Sequence, residues 1–390
     1  MRRLVLAVAV LGLAACQQSK PGRIGIITAL TGTQQAFGQA HDRGFDMALE
    51  EINASGGVLG KPLEIVKYDD QSKADIAAQG VAKLVDRDKV SALIGSYSSE
   101  STKAIVPLVA RRGVPLLMPT ATADNVLDST EGWSFRLCSG ATDYANAMVG
   151  FYKDAGLPKS VAIIYENTNF GQANGAAMKK AATVAGIPIA TEESYTAKSP
   201  SYTAMLQKVK DKRPDAIYFA SYLLDATSLM HQARQVDLNP RYYTAAGTGF
   251  SAPEFPTEEN GAGKDAEYTF SVTQWMPESK WSGSAEFAKK FQAKYGSSPA
   301  YHAVQAYTAL KVMVDAVKRA GKWDSTAIRD ALKATNIPET TFGPVKFDER
   351  GQNLHPVLVT QIQKGKYVIV NPKSEATGDP FLPTPKWSER

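Results

Sequence analysis

The sequence is poor in the residues that carry covalent or metal chemistry. Its 390 residues include only two cysteines, Cys16 and Cys138, and four histidines, His41, His231, His302 and His355. The histidines form no H-E-x-x-H or comparable metal spacing. No G-x-S-x-G turn is present to raise a nucleophilic serine. Asp69-Asp70 is followed by no further acids at loop spacing, so the pair reads as strand-end caps rather than a cation loop. The stretch from Gly56 to Pro62 is one residue short of a phosphate loop and has Pro62 where a hydroxyl is needed, so it reads as a tight turn. Gly247-Thr248-Gly249 lacks the third glycine and the following helix of a dinucleotide site. These absences exclude the common enzyme classes, and no catalytic residue, cofactor or metal is expected.

Strong charge of one sign is missing too. Lys and Arg total 44 against 39 Asp and Glu, a net +5. No basic patch with interleaved aromatics accompanies it, so neither nucleic acid nor a membrane surface is an expected partner. No low-complexity stretch or Gly/Ser linker divides the chain. No apolar run reaches the roughly 20 residues a membrane span requires.

What is present begins with Met1-Arg2-Arg3, a basic start, followed by residues 4–15 without a charged or polar side chain. That length and flank suit a secretory leader. It ends Leu13-Ala14-Ala15-Cys16, which resembles the lipobox of bacterial lipoproteins. The resemblance implies cleavage before Cys16, acylation of its sulfur and attachment to a membrane, with residues 16–22 as a polar tether. Export would leave Cys138 without a partner, so no internal disulfide forms and a buried, inert thiol is expected there.

Beyond the tether, strand and helix alternate. Residues 23–27, 63–68, 92–95 and 114–118 read as buried-type strands. Between the first two, Phe45, Ala48, Leu49 and Ile52 fall at i, i+3, i+4 and i+7 of a helix that Gly56-Gly57 ends. The plan restarts near residue 141, with strands at 161–165, 187–189 and 216–220 and helices at 170–185, 202–212 and 225–236. Residues 285–295, 303–320 and 326–334 are helical, and 345–347, 357–362 and 367–370 return to strand. Residues 373–390, rich in Pro, Ser and charge, read as a loosely packed tail. The order predicts an α/β protein of two Rossmann-like lobes with parallel sheets. The strand-end loops of both lobes should line one cleft.

Two polar loops stand at such strand ends. Ser96 to Thr102 opens a helix, where hydroxyls and free backbone N–H groups suit an anion; plain N-capping by one serine is the alternative. Thr120-Ala121-Thr122-Ala123-Asp124 follows the adjacent strand, so the hydroxyls of both loops can converge on one carboxylate.

These loops lie in a set of segments that resembles the leucine/isoleucine/valine-binding proteins, type I solute-binding proteins of bacterial ABC importers. The segments are Ala29-Leu30-Thr31-Gly32, Asn53-Ala54-Ser55-Gly56-Gly57, Val66-Lys67-Tyr68-Asp69-Asp70, Ile94-Gly95-Ser96-Tyr97-Ser98-Ser99, Pro119-Thr120-Ala121-Thr122-Ala123, Asn169-Phe170-Gly171 and Phe342-Gly343-Pro344-Val345. The resemblance spans about residues 23–370. It implies two lobes joined by three crossings, here near 138–142, 272–276 and 341–345. One lobe would comprise 23–139 plus 275–341 and the other 140–274 plus 342–372. It also implies a monomer in the periplasm or at the cell surface, serving permease and ATPase subunits in branched-chain amino-acid transport.

Position by position, the resemblance puts Ser99 on the ligand carboxylate and Thr120 and Thr122 on carboxylate and ammonium. Phe37, Phe170 and Tyr222 become cleft aromatics, and Tyr97 lines the side-chain pocket; Trp275 is a further expected aromatic. Two departures stand out. Thr248 occupies the position of the acid that pairs with the ligand ammonium, so either Asp225 or Glu254 substitutes, or the ligand is a carboxylate without an ammonium. The family disulfide maps to Ser72 and Ser98, so that brace is missing. Envelope lipoproteins of similar fold that act as protein-interaction modules form a second reading.

Overall fold

The computed structural model describes residues 22–390. The leader, the tether through Pro21 and Cys16 therefore lie outside the described residues. The first lobe is laid down as β1 (Arg23–Thr28), α1 (Gln35–Ala54), β2 (Glu64–Asp69), α2 (Ala74–Val81), β3 (Ala92–Gly95), α3 (Ser99–Arg112), β4 (Leu116–Met118) and β5 (Ser134–Arg136). The chain then builds the second lobe: α4 (Ala141–Ala155), β6 (Val161–Glu166), α5 (Asn169–Val184), β7 (Ile189–Tyr195), α6 (Thr203–Asp211), β8 (Ala216–Ala220), α7 (Leu223–Gln235), β9 (Tyr242–Ala245) and β10 (Phe270–Thr273). It returns with α8 (Ser284–Tyr295), α9 (Tyr301–Ala320), α10 (Ser325–Lys333), β11 (Asn336–Ile337) and β12 (Val345–Lys346), and ends with β13 (Leu358–Gln363) and β14 (Lys366–Asn371).

Five parallel strands form the first sheet in the order β2-β1-β3-β4-β5. Side chains alternate across it, as the strand period of two requires. Ile24 and Ile26 face a core with Phe45 and Ala48 of α1 and Leu310 and Val314 of α9. Ile27 faces the other core with Val81 of α2 and Ile105 and Val109 of α3. A sheet covered on both faces explains the nearly continuous apolar strands. The seven strands of the second sheet run β14-β13-β10-β9-β8-β6-β7, with β13 alone antiparallel to its neighbours β10 and β14. Ile164 and Phe219 pack under α6 and α7, and Ile163 and Tyr218 under α4 and α5. The α/β plan of two lobes is as the sequence predicts. Among the described residues no helix is long and apolar enough to cross a membrane.

Three details differ from expectation. Phe342, Val345 and Phe347, assigned above to the second lobe, belong to the first: they pack with Phe135 and Leu137, and β12 pairs with β11. The third crossing accordingly comes about ten residues later, after Asn353, whose Nδ2 donates to Leu137 O at 3.0 Å. All three crossings are bonded together, Ser139 N to Gln274 Oε1 at 2.7 Å and Ser139 Oγ to His355 O at 2.9 Å. The tail is not loose. Trp387 packs its ring on Tyr243 and donates to Leu238 O at 2.6 Å, and Phe381 lies against Tyr268, because the tail's aromatics supply what its polar residues do not. Cys138 is fully buried, and burial pushes its thiol up to about 12, which makes it inert.

Candidate functional site

The strand-end loops of both lobes meet at one small cavity. Ser98 caps α3, accepting from Ser101 N at 3.1 Å, and Ser99 is the first residue inside the helix. Ser99 Oγ accepts from Ala123 N at 3.1 Å, which ties the two polar loops together. A hydroxyl that accepts in this way keeps its own hydrogen for a further partner. Thr122 Oγ1 likewise accepts, from Asn174 Nδ2 of the other lobe at 3.4 Å. Both hydroxyls therefore have a donor to offer beside a helix N-terminus. Thr120 differs: its hydroxyl donates to Tyr97 O at 2.8 Å, so it braces the neighbouring loop instead of facing a ligand as donor. Between the threonines, Ala121 sits at φ 76°, a conformation that costs a residue with a Cβ and that its surroundings must enforce.

Aromatic rings close the cavity. Phe37, in the first turn of α1, stacks on Tyr97 with centroids 4.9 Å apart and planes 5° from parallel. From the other lobe, Phe170 stacks on Tyr222 at 5.0 Å and 28°. Tyr97 and Tyr222 meet across the cleft at 6.2 Å. Tyr97, Ser99, Thr120, Thr122, Phe170, Tyr222 and Thr248 all line the same cavity, with Phe37 behind Tyr97. Its volume is about 20 Å³, room for a single water. A ligand of amino-acid size enters only with the lobes apart.

Trp275 is not in this set. It is buried in the first lobe's core against Phe287, with Nε1 donating to Ser284 Oγ at 3.1 Å. The strand ahead of it turns its side chain away from the cleft. Neither candidate acid reaches in. Asp225 accepts from Tyr202 Oη at 2.8 Å and from Lys198 N at 3.0 Å, and Glu254 is exposed. Ser72 and Ser98 replace the absent disulfide with separate ties: Ser72 Oγ donates to Thr31 O at 2.9 Å and accepts from Gln34 N at 3.0 Å. Asp69 and Asp70 secure loops. Asp69 accepts from Thr31 Oγ1 at 2.6 Å, and Asp70 from Ser96 Oγ and from Ser72 N.

Sequence reasoning missed five lining residues: Tyr144, Gln274, Tyr301, His302 and Gln305. The last three occupy the first turns of α9, a helix buried on nearly all sides. A histidine and a glutamine at i and i+3 among Ala, Val and Leu were the available signal. Glu166, at the end of β6, was also missed. It accepts from Tyr222 N at 3.1 Å and Thr168 Oγ1 at 2.8 Å, and burial pushes it up to about 7.

The cleft's rim is bridged by an amide pair. Asn125 and Asn169 each donate Nδ2 to the other's Oδ1 at 3.0 Å, one from each lobe. The sequence profile of the periplasmic binding protein family matches residues 21–366. The chain belongs to that family. Its relatives include Leu/Ile/Val-binding protein homolog 7 of Brucella suis biovar 1, 28% identical over 97% of this chain and 98% of the relative. The leucine-, isoleucine-, valine-, threonine- and alanine-binding protein of Pseudomonas aeruginosa is 28% identical over 90% of this chain and 92% of its own. Among solved structures, the branched-chain amino acid transporter substrate-binding protein LivJ of Streptococcus pneumoniae, in complex with isoleucine, superposes with a TM-score of 0.82 at 26% identity, covering 90% of this chain and all of that one. The resemblance read from the sequence and the type I periplasmic binding protein fold are both confirmed. These homologues are substrate-binding proteins rather than enzymes.

Proposed function

We propose that this periplasmic binding protein is the receptor of an ABC importer for small carboxylates, either branched-chain amino acids or related acids. One observation carries the reading: Ser99 at the start of α3 and Thr122 in the loop after β4 each hold a free hydroxyl hydrogen, opposite rings from the second lobe. Hydroxyls and helix-end N–H groups bind a carboxylate strongly without a counter-ion that would hinder release. The amino acids for which the Pseudomonas relative is named and the isoleucine bound to the Streptococcus one support the class.

The mechanism is differential affinity. Ligand touches both lobes only when they are closed, so it draws the equilibrium to the closed form, which the permease and its ATPase recognise. The three bonded crossings are the hinge. In this reading acylated Cys16 holds the monomeric protein at a membrane in the periplasm or at the cell surface.

A thermal-shift screen of amino acids and small carboxylates tests it. Ligand at 100 times its dissociation constant adds about 2.7 kcal/mol of stability. Ser99→Ala with Thr122→Ala is expected to weaken binding by about 2–5 kcal/mol, the worth of two hydrogen bonds to a charge. Full affinity in that double variant, with its fold checked by circular dichroism, rejects the site.

A further inference from the structure

Resting on the reading of the cleft as a carboxylate site, we propose that its ligand is a phenolic carboxylate without an ammonium group, held by its carboxylate at Ser99 and Thr122 and by its hydroxyl at Gln305. Three observations converge on this class.

First, no residue lining the cavity is an acid or a base with a lasting charge. The carboxylates beyond Phe37 and Tyr222 are committed elsewhere: Glu166 to Tyr222 N and Thr168, and Asp225 to Tyr202 and Lys198 N. An α-ammonium closed into this cavity would lie beside neutral hydroxyls, amides and rings with no carboxylate among them, and a buried cation without a charged partner is strongly disfavoured.

Second, the cavity carries buried polar atoms that nothing in the chain satisfies. Gln305 is fully buried, and both its Nε2 and its Oε1 lack a hydrogen-bond partner; so does Nδ1 of His302 one turn earlier. Buried amides are almost always bonded, so an orphaned one facing a ligand cavity points to a group on the ligand. Gln305 offers a donor and an acceptor together. A hydroxyl, which also donates and accepts, complements it; the side chains of leucine, isoleucine and valine do neither and would leave it orphaned.

Third, the walls suit a flat body. Phe37 and Tyr97 are 5° from parallel and Phe170 and Tyr222 28°, with the imidazole of His302 set edgewise 5.4 Å from Tyr97. A planar ring enters such faces by offset stacking.

Calorimetric titration of the full chain with 4-hydroxybenzoate, benzoate and L-leucine tests the proposal. 4-Hydroxybenzoate is expected to bind about tenfold tighter than benzoate, the worth of one matched hydrogen bond. Leucine should be weaker by about a hundredfold or more, the effect of its unpaired ammonium. Gln305→Leu should bring the two aromatic acids within about threefold of each other. Thr248→Glu places a carboxylate in the lining and should weaken 4-hydroxybenzoate while strengthening leucine, a gain that misfolding does not produce. Leucine as the tightest of the three, or a Gln305→Leu variant that keeps the hydroxyl preference, overturns the phenolic class. If that leucine binding is lost in Ser99→Ala with Thr122→Ala, the carboxylate site survives; if none of the three probes binds, the carboxylate reading falls with the proposal.

Discussion

At the scale of single residues, which way a hydroxyl's hydrogen points separates binding from bracing. Thr120 and Thr122 are two apart in sequence and look equivalent there, yet Thr120 gives its hydrogen to Tyr97 O and Thr122 keeps its own. Thr120→Val preserves shape and orphans that carbonyl. It is expected to lower stability by about 1–3 kcal/mol and to weaken ligand much less than Ser99→Ala, as urea unfolding beside ligand titration would show. An equal loss of affinity in both would make Thr120 a ligand donor. The hydroxyl loops are legible in the sequence because they follow apolar strands, and strand ends place loops predictably; the cleft rings are legible only through the family resemblance. Trp275 follows β10 and is no cleft aromatic, because a strand end does not say which way the next side chain turns. Gln305 was illegible, because inside a helix only its surroundings distinguish a ligand contact from a bonded core amide.

At the scale of elements, the amide pair between Asn125 and Asn169 links the loop after β4 to the start of α5. It exists only while the lobes are together, so it favours the closed form without touching ligand. Asn125→Ala and Asn169→Ala should each speed ligand release by about tenfold, and the double variant should do no more than either alone, since both break the same pair. Stopped-flow release rates give the comparison, and additive effects would show that the two act separately. Helix ends were read to within two residues for α5, α8, α9 and α10 because apolar periodicity and capping glycines mark them. β7 was read too short: Thr191, Glu192 and Glu193 look like loop, yet at a sheet edge Glu192 pairs with Lys179, Glu193 with Lys208, and Thr191 donates to Glu193, so none needs burial.

At the scale of the whole molecule, burial of ionisable groups couples the fold to pH. Burial pushes the imidazoles of His41 and His355 down to about 3 and about 4, and that of His302 well below its ordinary range. In the unfolded chain each takes up a proton near pH 6.5. Below that pH the unfolded state binds more protons than the folded one, so stability falls as pH falls. Each imidazole contributes up to about 1.4 kcal/mol per pH unit. Glu166, raised to about 7, opposes this between about 4.5 and 7, and Asp70 and Asp143, whose carboxyls burial also raises, act in the same sense. Denaturant midpoints should therefore drop between pH 6.5 and 5, and His41→Gln should flatten the drop by about 1.4 kcal/mol per unit. An unchanged slope in that variant would mean His41 already exchanges protons in the folded state.

The two-lobe plan itself was legible from the restart of strand and helix near residue 141, whereas the third crossing was not. Residues 342–347 are as apolar as a second-lobe strand, and only their packing on Phe135 reveals the lobe they join.

The interleaving of the lobes also sets an order on the birth of the molecule. α1 lies against α9 so closely that a methyl group on Gly44 would strike Ala303 O, and β10 is flanked by β13. A nascent chain that has reached residue 300 thus owns every strand of the first sheet and the parallel strands of the second, but lacks the helix that roofs one and the ribbon that edges the other. Domain-by-domain maturation from the N-terminus, the usual course for a two-domain chain, is closed to it. Neither half can complete its core before the final quarter has been synthesised, so the two lobes ripen together rather than in turn.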